Sequence, residues 1–223
     1  MQTSYGDRQK CYKCYRPQSS CMCEHVHTIE TQTKFIILMH PKEFKKIKNG
    51  TGHLTHLALK NSELFVGIDF SDNKAINEII FTHNSFVLYP SKDAINLSSR
   101  DIKEYTNDIE DKKTAIFLID STWACSIKML RESKNLKALK HISFENTKLS
   151  QFKIKEQPAD YCLSTIESTL TVLELLNKCD KENIKSLDLD MFLNPFHKMI
   201  EYQIKYIENP LNNAIRYKSE RVK

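Results

Sequence analysis

Four of the chain's seven cysteines, Cys11, Cys14, Cys21 and Cys23, fall within thirteen residues, as C-x2-C, six intervening residues, then C-x-C. The N-terminus MQTSYGDRQK has no apolar core of a secretory signal, and clustered cysteines in such a chain point to metal more than to disulfides. Two close pairs can fold over one ion and supply four thiolates at tetrahedral geometry, the habit of structural zinc. The closing C-x-C is tighter than the usual C-x2-C, and His25 and His27 stand just downstream as substitute ligands. An Fe–S cluster, free thiols on a flexible arm and a redox pair are the competing readings. Four cysteine ligands leave no open coordination position, so this metal braces the fold and does no chemistry. Cys125, Cys162 and Cys179 are scattered.

At 223 residues, with 40% hydrophobic and 27% charged, the chain suits one domain with a small appendage. Four glycines and six prolines exclude collagen-like and low-complexity material. No apolar run approaches the ~18 residues that span a bilayer. The expectation is a soluble, cytoplasmic protein with no membrane association and no evident obligate protein partner. The net charge of +5 says little alone, because a nucleic-acid footprint is a local basic stripe. Lys42, Lys45, Lys46 and Lys48 are opposed locally only by Glu43, and Arg216, Lys218, Arg221 and Lys223 only by Glu220. On charge alone, these clusters read first as solvated faces.

Short apolar runs alternate with amphipathic stretches. Lys34–Met39, Leu64–Ile68, Ser85–Tyr89, Thr114–Ile119 and His141–Phe144 read as strands. Helical spacing marks Thr51–Leu59, Asn73–Ile80, a run from Trp123 to about Ser133, Thr165–Asn177 and Asp190–Ile207. Residues 91–112 are charged and aperiodic, and read as a long surface excursion. Strands alternating with helices imply an α/β domain, a mainly parallel sheet covered on both faces, carrying an N-terminal metal knuckle.

In open α/β sheets the ligand crevice lies beyond the carboxyl ends of the strands. Asp120-Ser121-Thr122-Trp123 falls at such an end, after the most apolar strand, and Trp123 is the only tryptophan. Asp as helix N-cap and Trp as core filler is the plainer alternative. Ser164 and Glu167 have capping-box spacing, and the helix they begin offers amide donors to a carboxylate. His40-Pro41-x-Glu43 follows another strand, and two of the four glycines lie in Asn49-Gly50-Thr51-Gly52. No GxGxxG, Walker loop, G-x-S-x-G or H-E-x-x-H is present, so the common nucleotide-binding and hydrolase readings lose support.

The ordered set C-x2-C…C-x-C, His40-Pro41-x-Glu43, Asn49-Gly50-Thr51-Gly52, Leu88-Tyr89-Pro90, Asp120-Ser121-Thr122-Trp123 and Ser164-Thr165-Ile166-Glu167 resembles the DTW-domain family, over roughly residues 11–205. Within it the chain is similar to the bacterial tRNA-uridine aminocarboxypropyltransferases. The resemblance implies a SPOUT-like fold with a knotted C-terminal portion, and S-adenosylmethionine bound at strand ends. It implies transfer of the 3-amino-3-carboxypropyl group to N3 of a tRNA uridine, giving acp3U and methylthioadenosine. Ser121 stands where the family often has Gly, and Lys155 lies near a position where relatives often carry Arg and its bidentate reach.

Carried onto this chain, the resemblance makes Asp120 the base or acceptor-orienting group. Leu88, Tyr89, Pro90, Asp120, Ser121, Thr122, Trp123, Ser164, Thr165 and Glu167 become cofactor contacts, with Trp123 packed inward as a wall. His40, Glu43, Lys45, Lys46, Asn49, Thr51, Arg216 and Lys218 become tRNA contacts, and Cys11, Cys14, Cys21 and Cys23 ligate Zn2+. The implied organisation is a zinc-binding segment over 1–30, a catalytic domain over 31–209 and a basic tail over 210–223. A SPOUT-type RNA methyltransferase and a non-enzymatic zinc-containing RNA-binding protein are the alternatives.

Overall fold

The computed structural model describes residues 9–45, 49–106, 112–146, 149–152, 154 and 162–208. The strand β1, Lys34–Met39, is an interior strand whose last five residues are all buried. A run apolar on both faces suits the interior of a parallel sheet, where helices cover each side. With β2 (Ser62–Val66), β3 (Asn84–Leu88), β4 (Ile95–Asn96), β5 (Thr114–Asp120) and β6 (Lys140–Ser143) it forms a six-stranded sheet of order β2-β1-β5-β3-β6-β4. Every pairing is parallel.

Successive side chains of a strand point to opposite faces, and the core divides accordingly. Phe35, Ile37, Phe86, Ile116, Leu118 and Ile142 face α2 (Gly52–Ala58), α6 (Thr165–Lys178) and α8 (Asn194–Glu208). Ile36, Leu38, Val87, Ala115 and Phe117 face α3 (Lys74–Thr82), α4 (Trp123–Glu132) and α5 (Lys134–Lys137). The expected α/β architecture with both faces covered is what forms. No helix of the described residues is long and apolar enough to cross a membrane.

Local chemistry sets the boundaries. Asn73 caps α3 by accepting from the Ile76 amide, and the Ser164–Glu167 capping box opens α6. Met39 ends β1, and His40-Pro41 leads into α1 (Pro41–Lys45), which apolar spacing did not signal. The expected helix over Asp190–Ile207 is instead two, α7 (Ser186–Met191) and α8. Pro195 has no amide to donate and belongs in a first turn, so the helix restarts there. Residues 91–106 are less superficial than their charge suggested, because Ile95, Leu97 and Ile102 are buried in the α2–α6–α8 core. Ten of the 21 residues between β6 and α6, a stretch whose path bears on the expected knot, lie outside the described residues, Lys155 among them, as do Lys46 and the segment 210–223.

Candidate functional site

The carboxyl ends of β1, β5, β3 and β6 open on a cavity of about 660 Å³. That volume is within the range of pockets that enclose a small molecule. Asp120, the last residue of β5, is buried at 7% exposure and pairs in register with Met39 of β1. Its carbonyl accepts from the His40 amide at 3.1 Å. Its Oδ1 accepts from the Thr165 hydroxyl at 2.7 Å, joining two motifs 45 residues apart. On the other side, Asp120 Oδ2 lies where a Cβ on Gly52 would come within 2.4 Å. Gly52 has no positive φ, so what it supplies at the head of α2 is room for the carboxylate.

Leu88, Tyr89, Pro90, Asp120, Ser121, Thr122, Trp123, Ser164 and Thr165 all line the cavity. Glu167 does not. Its carboxylate accepts from the Ser164 amide at 2.8 Å and hydroxyl at 2.6 Å, and from the Gln151 amide at 2.7 Å. It ties the start of α6 to the segment at 150–152, so it shapes the wall from behind. Trp123 is 42% exposed at the mouth, its ring 6.0 Å from that of Tyr89, where an inward-packed wall was expected. As the first residue of α4 it is held by a helix end that projects from the sheet.

Of the expected RNA contacts, Glu43 and Thr51 are buried cavity-lining residues. His40 is buried, its Nδ1 accepting from the Lys42 amide at 3.1 Å. Asn49 is half-buried and Lys45 exposed, while Lys46, Arg216 and Lys218 lie outside the described residues. Sequence reasoning missed the far wall, formed by Ser143, Phe144, Asn146 and Phe152. The strand-end rule applied to HISF was the available signal for the first three. Phe152 had none.

The four N-terminal cysteine sulfurs lie within 4.8 Å of one another and could hold a metal ion. Cys11 and Cys23 are 3.6 Å apart and Cys14 and Cys21 3.7 Å. A tetrahedron with metal–sulfur bonds of ~2.3 Å has edges of ~3.8 Å, so the donor set fits zinc. All seven cysteines are free thiols. Amide donors at Cys14 and Lys13 pull the Cys11 thiol down to about 6, whereas burial pushes Cys21 and Cys23 up. His25 pairs with Glu24 and His27 with Asp188, so neither joins the cluster. The hydrogen-bonded turn from Cys11 to Arg16 passes through Tyr15 at φ 59°. Arg16, 2% exposed, then donates to the Gly50 carbonyl at 3.2 Å and the Met199 sulfur at 3.1 Å. Burial lowers its pKa and the Cys14, Cys21 and Cys23 sulfurs oppose the shift. Tyr15 also meets Phe44 and His53, at centroid distances of 5.9 and 5.2 Å. The knuckle therefore docks on the segment that walls the cavity.

A parallel α/β sheet with a carboxylate-bearing crevice at its strand ends and a four-cysteine knuckle braced beside that crevice defines the class, an α/β domain with a small N-terminal cysteine module. The chain belongs to the DTW domain family, whose model matches residues 8–204. It is 26% identical over 206 residues to the mouse protein named tRNA-uridine aminocarboxypropyltransferase 2, covering 89% of this chain and 65% of that one. A Drosophila melanogaster protein of the same name is 27% identical over 222 residues, covering 96% of this chain and 80% of the relative. The chain thus spans slightly less than two thirds of the mouse relative's length. No solved structure matches it.

Proposed function

We propose that the cavity binds S-adenosylmethionine and that the protein transfers its 3-amino-3-carboxypropyl group to N3 of a uridine in tRNA. The observation that carries this reading is the Asp120–Thr165 hydrogen bond, which brings D-S-T-W and S-T-x-E together at the strand ends. The names of the relatives support the reaction. The donor set suits such a ligand, with aromatic and aliphatic surface at Leu88, Tyr89, Trp123 and Phe152 and hydroxyls at Ser121, Thr122, Ser164 and Thr165. When bound, the sulfonium activates the carbon that N3 attacks, and the broken C–S bond leaves its electron pair on sulfur in methylthioadenosine.

The protein's own part is orientation and proton removal. Thr165 fixes the Asp120 carboxylate, which takes the proton leaving N3. First-turn amides at the start of the fourteen-residue α6, beside Ser164 and Thr165, hold the methionine carboxylate, since the two hydroxyl protons are already given to Glu167 and Asp120. That grip presents the propyl carbon to N3 in place of the methyl. The cysteine cluster holds a structural zinc.

The test uses unmodified tRNA and two S-adenosylmethionine samples, one labelled on the methyl and one on the methionine carboxyl. Label reaching tRNA only from the carboxyl sample is expected. Label only from the methyl sample would make the protein a methyltransferase, and label from neither would sink the enzymatic reading.

A further inference from the structure

Beyond the cavity mouth, cations recur at every third position: Lys128, Arg131, Lys134, Lys137 and Lys140. All five are exposed. Between Trp123 and Lys140 the one acid is Glu132, which pairs with Arg131, and Asp69 lies near Lys134. A helix places residues three apart on neighbouring positions of one face, so Lys128 and Arg131 share the outer side of α4. At 1.5 Å per residue they sit about 7 and 12 Å along its axis from Trp123 at the cavity rim. Met129, Leu130 and Leu136 fill the inner side, against the sheet.

The α4–α5 junction is held firmly. The Ser133 hydroxyl accepts from the Phe70 amide at 3.1 Å, the Ser71 hydroxyl accepts from the Lys134 amide at 3.0 Å, and the Asn135 amide group donates to the Phe70 carbonyl at 2.9 Å. These bonds fix the backbone at the turn between the two helices, while Lys128, Lys134 and Lys137 remain exposed. A row of like charges is self-repelling, and a polyanion of matching reach relieves it.

We propose that the outer face of α4 and α5, from Trp123 through Lys137, is the track on which the tRNA phosphate backbone docks, leading the target uridine past Trp123 into the cavity. This rests on the tRNA reading above and adds a surface to it. Phosphate contacts position a nucleic acid without reading its sequence, and each adds to the salt dependence of binding. The track carries the register, and the cavity selects the base.

The test is tRNA binding by the full chain across a salt series, comparing wild type with K128Q/R131Q/K134Q/K137Q and a control, K178Q/K185Q, whose two lysines are exposed elsewhere. The track variant is expected to weaken tRNA binding at least tenfold at low salt, and to lower the slope of log K against log salt by about three. Its S-adenosylmethionine affinity and melting temperature stay at wild-type values. An unchanged affinity and slope would overturn the proposal, as would equal losses in track and control variants. Wild type that binds S-adenosylmethionine but no tRNA would overturn both the track and the substrate reading. If the track result holds while no carboxyl label reaches tRNA, the reaction fails and the track stands.

Discussion

Gly52→Ala adds a single methyl group against the Asp120 carboxylate. A Cβ there would lie 2.4 Å from Asp120 Oδ2, 2.6 Å from its Cγ and 2.8 Å from Met39 Cε. Ordinary contact begins near 3.4 Å, so the carboxylate or the head of α2 must give by about 1 Å. The Met39 methyl can swing aside, but Asp120 is the end of a central strand and is tied to Thr165 at 2.7 Å. Moving it by that amount breaks the Thr165 bond or turns the carboxylate out of line. Overpacking costs about 1–3 kcal/mol, and because Gly52 is the first residue of α2, alanine recovers less than the ~0.5–1 kcal/mol it gains over glycine in a helix interior. The net loss of about 1–2 kcal/mol should lower Tm by about 3–6 °C in a chain of this size. Turnover should fall far more, by about a hundredfold, since a 1 Å misplacement of a reacting group costs that much. Steady-state label transfer and a thermal melt on the same sample separate the two effects. Turnover within threefold of wild type would refute the argument that Gly52 sets the position of Asp120.

Asp120→Ala should abolish aminocarboxypropyl transfer while the far-UV spectrum and S-adenosylmethionine binding persist, and normal turnover by that variant would remove Asp120 from the mechanism. Glu167→Ala strips the acceptor from the Ser164 and Gln151 amides, at a cost of about 2–3 kcal/mol, so a Tm fall of about 6–9 °C is expected and an unchanged melt would contradict the bracing role. The native protein should release one zinc per chain to a colorimetric chelator and lose stability as it does so, whereas four titratable thiols with no released metal would exclude the structural ion. His53 is buried, and burial first and the Arg16 charge second depress its pKa from 6.5 to about 4. Its folded pKa lies below the unfolded value, so its contribution is complete above pH 6.5 and is lost as pH falls towards 4. The loss reaches up to about 3 kcal/mol. Denaturant midpoints across that window should be flatter for His53→Phe, and parallel profiles would show that His53 is not the titrating group.

The apolar runs at β1, β3 and β5 announced a buried parallel sheet by themselves, because a strand covered on both faces needs no alternation to be recognised. Local chemistry was equally legible in the Ser164–Glu167 capping box and in the cysteine spacing, whose partners lie within a few residues. Position after a strand marked Asp120 and Thr122 as crevice candidates with a plain helix-capping role left open, and Tyr89 entered only through the family resemblance. The tertiary structure alone decided what depends on distant partners. It turned Glu167 into a brace, brought Phe152 into the far wall, carried Glu43 and Thr51 into the cavity, and set Trp123 half exposed at the mouth. It also showed that Gly52 is needed for clearance and that Arg16 joins the cysteine knuckle to the cavity wall. Sequence encodes periodicity and short-range bonds directly, but the meeting of Thr165 with Asp120 across 45 residues exists only once the sheet has closed and α6 has packed against it.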